Sequence, residues 1–247
     1  INIIFLTIFR KKISIFFYGI DIFKLKSSII KFILKKNIYV NYLTCSNYSK
    51  KFAVTNLKIK KENIEVIYPY SNFENIVSKI KYQNIHNKKI KILSVSRLDG
   101  RITDGIWLML KALKYNNNKE IEFHIVGEGK QMSKMKKFIS ENKLDNIYFH
   151  GYQKDLIKYY EEIDLSLSIT DNAGFGISVL DSMFFGKPCI VSRNSASFEI
   201  FNNKNYNFSI KNDSSLEELI LLLKNLKNMK IINNNFVDFY KQNYSIK

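Results

Sequence analysis

Proline and glycine are both scarce, with two prolines, Pro69 and Pro188, and nine glycines in 247 residues, so each one is informative about the backbone around it. Cysteine is nearly absent too. Cys45 and Cys189 sit in apolar runs with no metal-ligand spacing nearby, and they read as two buried thiols of a reducing compartment. The three histidines, His86, His124 and His150, are scattered. His124 lies inside the strand-like Glu122–Val126 and reads as a packed or solvent-edge histidine, not a metal ligand. No apolar run reaches the roughly 18 residues that a spanning helix needs. Arg10-Lys11-Lys12 follow the first apolar run instead of preceding it, unlike a signal peptide. No helix-turn-helix, zinc or aromatic RNA-binding pattern is present, which argues against a nucleic-acid partner. The expectation is a cytoplasmic protein whose true start lies upstream of Ile1.

What is present is enough apolar material for a folded core: 46% of residues are hydrophobic and 14% aromatic, too much for a disordered chain. The formal charge is +17 and unevenly spread. Residues 1–90 hold 17 Lys and Arg against four acidic residues, whereas residues 91–247 hold 22 against 18. An AT-rich coding sequence inflates lysine everywhere and so does not explain that asymmetry. A basic first third beside a nearly balanced remainder points to an anionic surface partner such as the inner leaflet of a membrane, with Lys11, Lys12, Lys24, Lys31, Lys35 and Lys36 as the contact candidates.

Residues 1–7 and 13–18 read as buried strands, and 24–36 as an amphipathic helix with Leu25, Ile29, Phe32 and Ile33 on one face. A strand over 39–45 leads to Ser46, a candidate N-cap for a helix over 47–54, and a short strand over 65–68 ends at Pro69. Residues 70–88 have weak periodicity. Beyond them strands at 89–96, 121–126, 146–149, 164–169 and 187–192 alternate with helices at 106–114, 132–142, 154–162 and 174–185, and a last helix spans 216–226. That alternation implies a doubly wound parallel α/β sheet.

In such sheets ligands lie beyond the carboxyl ends of the strands. Three strand-to-helix loops stand out there: Ser94–Arg101, Val126–Gly129 and Thr170–Ile177. Gly174-Phe175-Gly176 at a helix start leaves backbone N–H groups unobstructed at the positive helix end, a geometry that suits phosphate. Arg97, just past a strand, offers a bidentate cation. Singly, each has a plainer explanation, the glycines as a matter of backbone angle and the arginine as a surface residue.

Together with their spacing, Ile92–Leu98, Phe123–Gly129, Asn146–Gly151, Tyr159–Leu165 and above all Gly174–Pro188 resemble the C-terminal domain of the group 1, retaining, GT-B glycosyltransferases over residues 89–245. Glu199 falls where that family has a glutamate after its small-residue loop, and Thr44–Lys50 with Glu65–Tyr70 resemble the end of its N-terminal domain. The resemblance implies a GT-B architecture: a partial, acceptor-side Rossmann-like domain over 1–80, a linker at 81–88, and a nucleotide-sugar-binding domain over 89–247. The start and end of the family pattern are missing, so a fragment of a longer protein is expected.

The resemblance further implies transfer of a sugar from a nucleotide-diphosphate donor to a glycan or lipid-linked acceptor with retention, needing neither cofactor nor metal. Residue by residue, Arg97 would neutralise the diphosphate, and Gly174, Phe175, Gly176 and Ile177 would form the phosphate or sugar loop. Gly127 and Tyr152 would border the base, and Asp181 would accept from the ribose hydroxyls. Three positions depart from the family. Its paired glutamates, eight positions apart, are Ala173 and Asp181 here, and its lysine–glycine pair is Asp104-Gly105, with Arg101 a candidate replacement cation. Tyr18–Asp21 stands where many members carry a histidine. A second reading therefore stays open, a degenerate, non-catalytic subunit that keeps the fold and docks on an active partner. A dinucleotide enzyme is disfavoured, since no Gly-x-Gly-x-x-Gly follows any strand.

Overall fold

A computed structural model describes residues 13–17, 40–73, 89–116, 118–171, 175–201, 208–226 and 234–245. The strand expected at 1–7, the helix at 24–36, the linker at 81–88, the six candidate membrane lysines, the Tyr18–Asp21 segment, Ala173 and Gly174 lie outside the described residues. Contacts divide the described chain into two units: the first holds 13–17, 40–69, Phe175 and 195–201, and the second holds the rest.

The first unit contains a parallel sheet of β1 (Ile13–Phe17), β2 (Val40–Thr44) and β3 (Ile64–Val66) in that order, with Phe17 opposite Thr44 and Tyr42 opposite Ile64. Val40, Tyr42 and Thr44 are buried while Asn41 is exposed, the two-residue alternation of a strand with one covered face. Between β2 and β3 runs α1 (Asn47–Asn56), started by Ser46, whose hydroxyl accepts from the Ser49 N–H at 3.0 Å as the sequence predicts. Ala53 of α1 packs with Phe17, Tyr42, Leu57, Ile59 and Ile64 to form the core of this unit.

The second unit follows as β4 (Ile90–Val95), α2 (Asp104–Asn116), β5 (Ile121–Val126), α3 (Met132–Glu141), β6 (Ile147–Gly151), α4 (Ile157–Glu162), β7 (Leu165–Ser168), α5 (Ile177–Phe184) and β8 (Cys189–Ser192). Helix α6 (Ala196–Phe201) belongs to the first unit, after which β9 (Ser209–Ile210), α7 (Leu216–Asn225) and α8 (Asn234–Asn243) complete the second. Every pair in its six-stranded sheet is parallel, in the order β6-β5-β4-β7-β8-β9. The doubly wound parallel sheet read from the sequence is therefore present.

The apolar runs of β4, β7 and β8 are continuous because both of their faces are covered. Neighbours on β4 show this directly. Ile92 packs with Met109, Phe123, Met135 and Leu223 of one cluster, and Leu93 with Phe73, Val126, Tyr160 and Phe185 of another.

The boundaries differ from the sequence expectation where local chemistry intervenes. α2 begins at Asp104, two residues early, because a carboxylate in the first turn suits the positive helix end. α4 begins at Ile157, three residues late: the Asp155 carboxylate accepts from the Ile157 N–H at 3.0 Å and turns the chain before the helix. Helices α6 and α8 and strand β9 had no counterpart in the sequence reading.

Gly105 shows how tightly α2 meets the sheet. A Cβ there would stand 2.1 Å from the Ile169 carbonyl oxygen and 2.7 Å from the Ile169 Cβ. Gly to Ala inside a helix ordinarily stabilises by about 1 kcal/mol. At this position the sign reverses: Gly105→Ala is expected to destabilise by about 2 kcal/mol or more, since backbone must move. Urea unfolding of the two proteins checks it, and a more stable variant would show that α2 can draw back.

Candidate functional site

Between β4 and β7 the strand order reverses. β4 leads through α2 to β5 on one side and β7 through α5 to β8 on the other, so the loops leaving these neighbours open a crevice beyond their carboxyl ends. Arg97 sits in the first of those loops, exposed, two residues past Val95.

The loops after β4, β5 and β6 are joined by backbone hydrogen bonds that continue the ladder past the strands. Ser96 N–H donates to Val126 O at 3.0 Å, Leu98 N–H to Glu128 O at 2.8 Å, and Gly127 N–H to Gly151 O at 2.8 Å. Carboxylates close the remaining turns. Asp99 accepts from the Lys130 N–H at 2.9 Å, and Glu128 from the Tyr152 N–H at 3.2 Å. Arg97, Gly127 and Tyr152, far apart in sequence, thus belong to one connected rim. Gly127 has φ +137°, and a Cβ on it would lie 1.8 Å from Ser96 O. Tyr152 is 71% exposed, a flat ring at the edge of the rim.

Gly176 is the N-cap of α5, with extended backbone at φ −78° and ψ 109°, and Ile177 is the first helical residue. No described side chain caps this helix start, and its first turn holds no acidic residue. Phe175, one residue earlier, belongs to the first unit. Its N–H donates to Cys45 Sγ at 3.5 Å and its buried ring meets Tyr68 edge-on at 5.7 Å. Packing therefore occupies the ring of Phe175, and its backbone N–H has a partner in Cys45.

The side chain of Asp181 points inward. It is 2% exposed; Oδ1 accepts from Ser71 Oγ at 2.7 Å and from Asn72 N–H at 2.9 Å, while Oδ2 accepts from Asn72 Nδ2 at 3.1 Å. Burial raises its carboxyl, and these three bonds pull the other way. Ser71 N–H in turn donates to the Tyr240 hydroxyl of α8 at 2.9 Å. The carboxylate expected at a ribose is here the anchor of residues 71–73. Ser71, Asn72 and Tyr240 were not singled out in the sequence, and no local signal names partners separated by 110 residues.

Acidic groups gather around the loop after β7. Asp171, after β7, accepts from Ser192 Oγ, from Asn194 Nδ2 at 3.0 Å and from the Asp213 N–H at 3.0 Å. Burial first, and then the charge of Asp213, raise the carboxyl of Asp104, while Arg101 at 3.8 Å opposes the shift. Among the described residues no three His, Cys, Asp or Glu side chains form a metal-binding group.

In the first unit, Glu199 of α6 occupies the start of α1. Its carboxylate accepts from Asn47 N–H at 3.1 Å, Asn47 Nδ2 at 2.8 Å, Tyr48 N–H at 2.8 Å and the Tyr68 hydroxyl at 2.7 Å. A negative charge at a helix N-terminus is favourable, and four donors fix it. A polar cavity of about 680 Å³ lies in the same unit, lined by Asn41, Asn47, Lys50, Glu65 and Tyr68 among others.

Residues 77–238 match the family described as Glycosyl transferases group 1. The O-antigen biosynthesis glycosyltransferase WclY of Escherichia coli is 27% identical over 121 residues, 49% of this chain and 34% of that protein. The poly(ribitol-phosphate) alpha-N-acetylglucosaminyltransferase of Staphylococcus aureus is 26% identical over 168 residues, 66% of this chain and 33% of its own length. The chain thus spans about a third of the length of these curated relatives. Among solved structures, Anabaena Alr3699/HepE in complex with UDP gives a TM-score of 0.78 at 16% identity, covering 99% of this chain and 71% of that one, a likeness of fold.

The Asp181 anchor is testable apart from any ligand. Asp181→Ala leaves the buried Ser71 hydroxyl without its acceptor and removes the hold on the exposed Asn72, and is expected to cost about 1–3 kcal/mol of stability in urea unfolding. Asp181→Asn keeps one acceptor oxygen and sheds the buried charge, so its cost should be under half of that. Equal and negligible effects from both would show that residues 71–73 are held by packing alone.

Proposed function

Because the chain belongs to the group 1 glycosyl transferases, of GT-B fold, we propose that it moves a sugar from a nucleoside-diphosphate sugar to a glycan or lipid-linked acceptor, with retention at the anomeric carbon. One observation carries the reading. Helix α5 opens on Gly176 with no side-chain cap and no acid in its first turn, after β7, whose neighbour β4 runs out to Arg97. Backbone amides at a positive helix end and a forked guanidinium together match a diphosphate. As the bond between sugar and phosphate breaks, negative charge grows on the diphosphate, and dipoles already aimed at it need no reorganisation.

The remaining assignments follow the same rim. The Ile177 amide meets phosphate or sugar, and the Gly127 loop and the exposed ring of Tyr152 border the base. Gly174, outside the described residues, completes the loop by resemblance. Asp181 is assigned to anchoring, since both of its oxygens already have donors, and the ribose contact passes to the rim. The names of the curated relatives, one of O-antigen biosynthesis and one acting on poly(ribitol-phosphate), support a glycan or polyol-phosphate acceptor. Among the described residues no helix is long and apolar enough to cross a membrane. The basic first third, in which Lys51, Lys58, Lys60 and Lys61 are exposed, supports peripheral contact with an anionic cytoplasmic leaflet.

Asp104 favours a second reading, a binding subunit without turnover. A carboxylate stands where the family's lysine would help hold phosphate, with Asp213 and Asp171 beside it. The two readings share a fold and differ in affinity and turnover.

Isothermal titration with uridine diphosphate separates them. Arg97→Ala should weaken binding about tenfold or more, the worth of a charge-assisted hydrogen bond. Asp104→Lys should tighten it several-fold. Wild type that binds the diphosphate but transfers no sugar, with transfer appearing only in Asp104→Lys, selects the binding subunit. Arg97→Ala with unchanged affinity overturns the donor site altogether.

A further inference from the structure

Two histidines that are scattered in the sequence meet in the second unit. β5 and β6 pair with His124 opposite Tyr148 and Ile125 opposite Phe149, and then the register slips so that Val126 faces Gly151. The residue left over by this bulge is His150. Its Nε2 lies 3.0 Å from Nδ1 of His124, with the two rings 7° from parallel. Tyr148 stacks on His124 at 5.0 Å, and Tyr159 of α4 meets His150 edge-on at 4.9 Å. The outer nitrogen of His124, Nε2, is buried without a hydrogen-bond partner, 3.7 Å from the Glu122 carboxylate. Lys91 from β4 and Lys158 and Glu162 from α4 are the other charges that face the pair.

A hydrogen bond between two imidazoles exists only while one of the facing nitrogens is bare. A first added proton goes to an outer nitrogen and leaves the bond intact. A second must sit on the facing nitrogen and breaks it, so the two rings titrate as a unit. The pair stands at the root of the rim: Gly127 follows His124 by three residues, Tyr152 follows His150 by two, and Gly127 N–H donates to Gly151 O at 2.8 Å. Bulges re-aim the chain that follows them.

We propose that His124 and His150 are a positioning pair for the nucleoside end of the donor, their hydrogen bond fixing the bulge that aims Gly127, Gly151 and Tyr152, and that double protonation releases it. The ligand in this proposal rests on the donor reading above; the link from pair to rim does not. Burial lowers both imidazoles below the usual 6.5, helped by the neighbouring ring at His124 and by Lys158 at His150, while Glu122 and Glu162 oppose. The unfolded chain then takes up more protons as pH falls through about 6.5, so acid weakens this part of the fold.

The test is a pH titration from about 7.5 to about 5, the range in which histidines titrate, followed by NMR on the full chain. The imidazoles of His124 and His150 should titrate as a coupled pair, and the amides of Gly127, Gly151 and Tyr152 should move with the same midpoints. Uridine diphosphate should lose about three- to tenfold more affinity across that range in wild type than in His150→Gln, the scale of one hydrogen bond. The titration of the ligand itself is common to both proteins. Inorganic pyrophosphate, which lacks the nucleoside, should show no such difference. Rim amides that ignore both histidines, or identical pH profiles in wild type and variant, overturn the proposal. Amides that follow the pair in a protein that binds no uridine diphosphate at any pH keep the positioning pair and sink the donor.

Discussion

Where β5 ends, its backbone passes Ser96 so closely that a Cβ on Gly127 would stand 1.8 Å from the Ser96 carbonyl oxygen. That absence of a side chain lets the ladder run on after the strands stop. Ser96 reaches Val126, Leu98 reaches Glu128, and Gly127 reaches Gly151. Without the close approach, the loops after β4, β5 and β6 would need solvent for their backbone groups and would have no common arrangement. With it, a cation, a glycine turn and an aromatic ring from three stretches of sequence share a rim. The candidate donor site is largely a product of backbone packing, and its side chains are carried on that frame.

The strands and most helices were legible because hydrophobic runs and their spacing are local. Ile90–Val95 and Ile121–Val126 read as strands from their own residues, and Ser46 announced its helix by chemistry alone. β9, two residues long, exists only because β8 lies beside it, and α8 is an Asn-rich segment whose apolar side matters once α5 is there to receive it. Arg97 and Gly127 could be named from loop position, and Tyr152 only from the family resemblance. What could not be read was which acid faces inward. Asp181 and Asp104 look alike in sequence, yet one is enclosed by Ser71 and Asn72 and the other sits beside Arg101 and two more carboxylates. Partners so distant in sequence leave no periodic trace.

Charges inside this protein hold the segments that secondary structure does not. Asp181 fixes residues 71–73, Asp171 gathers the turns after β8 and before α7, and Glu199 seals the start of α1. Lys187 follows the same logic with the opposite sign. Its buried ammonium donates to the Glu161 carbonyl at 3.3 Å, at the negative end of α4, and burial lowers its proton affinity while Asp164 and Glu161 restore part of it. Asp181 and Lys187 are buried, Asp171 and Glu199 half-buried, and each is stable there because its donors or acceptors are in place.

The central position of β4 has a consequence for how the chain is made. β4 is the first strand of its sheet to be synthesised, and β5 soon covers one of its edges, but the strand that covers the other edge begins at Leu165. At roughly 5–20 residues per second, a ribosome takes several seconds to cross that interval. During that time an apolar strand of the nascent chain keeps an open hydrogen-bonding edge, a template for another chain to pair with. The Asp181 carboxylate that holds Ser71 and Asn72 arrives later still. Neighbouring nascent chains on a polysome, each with the same open edge, are therefore the partners this strand could pair with wrongly.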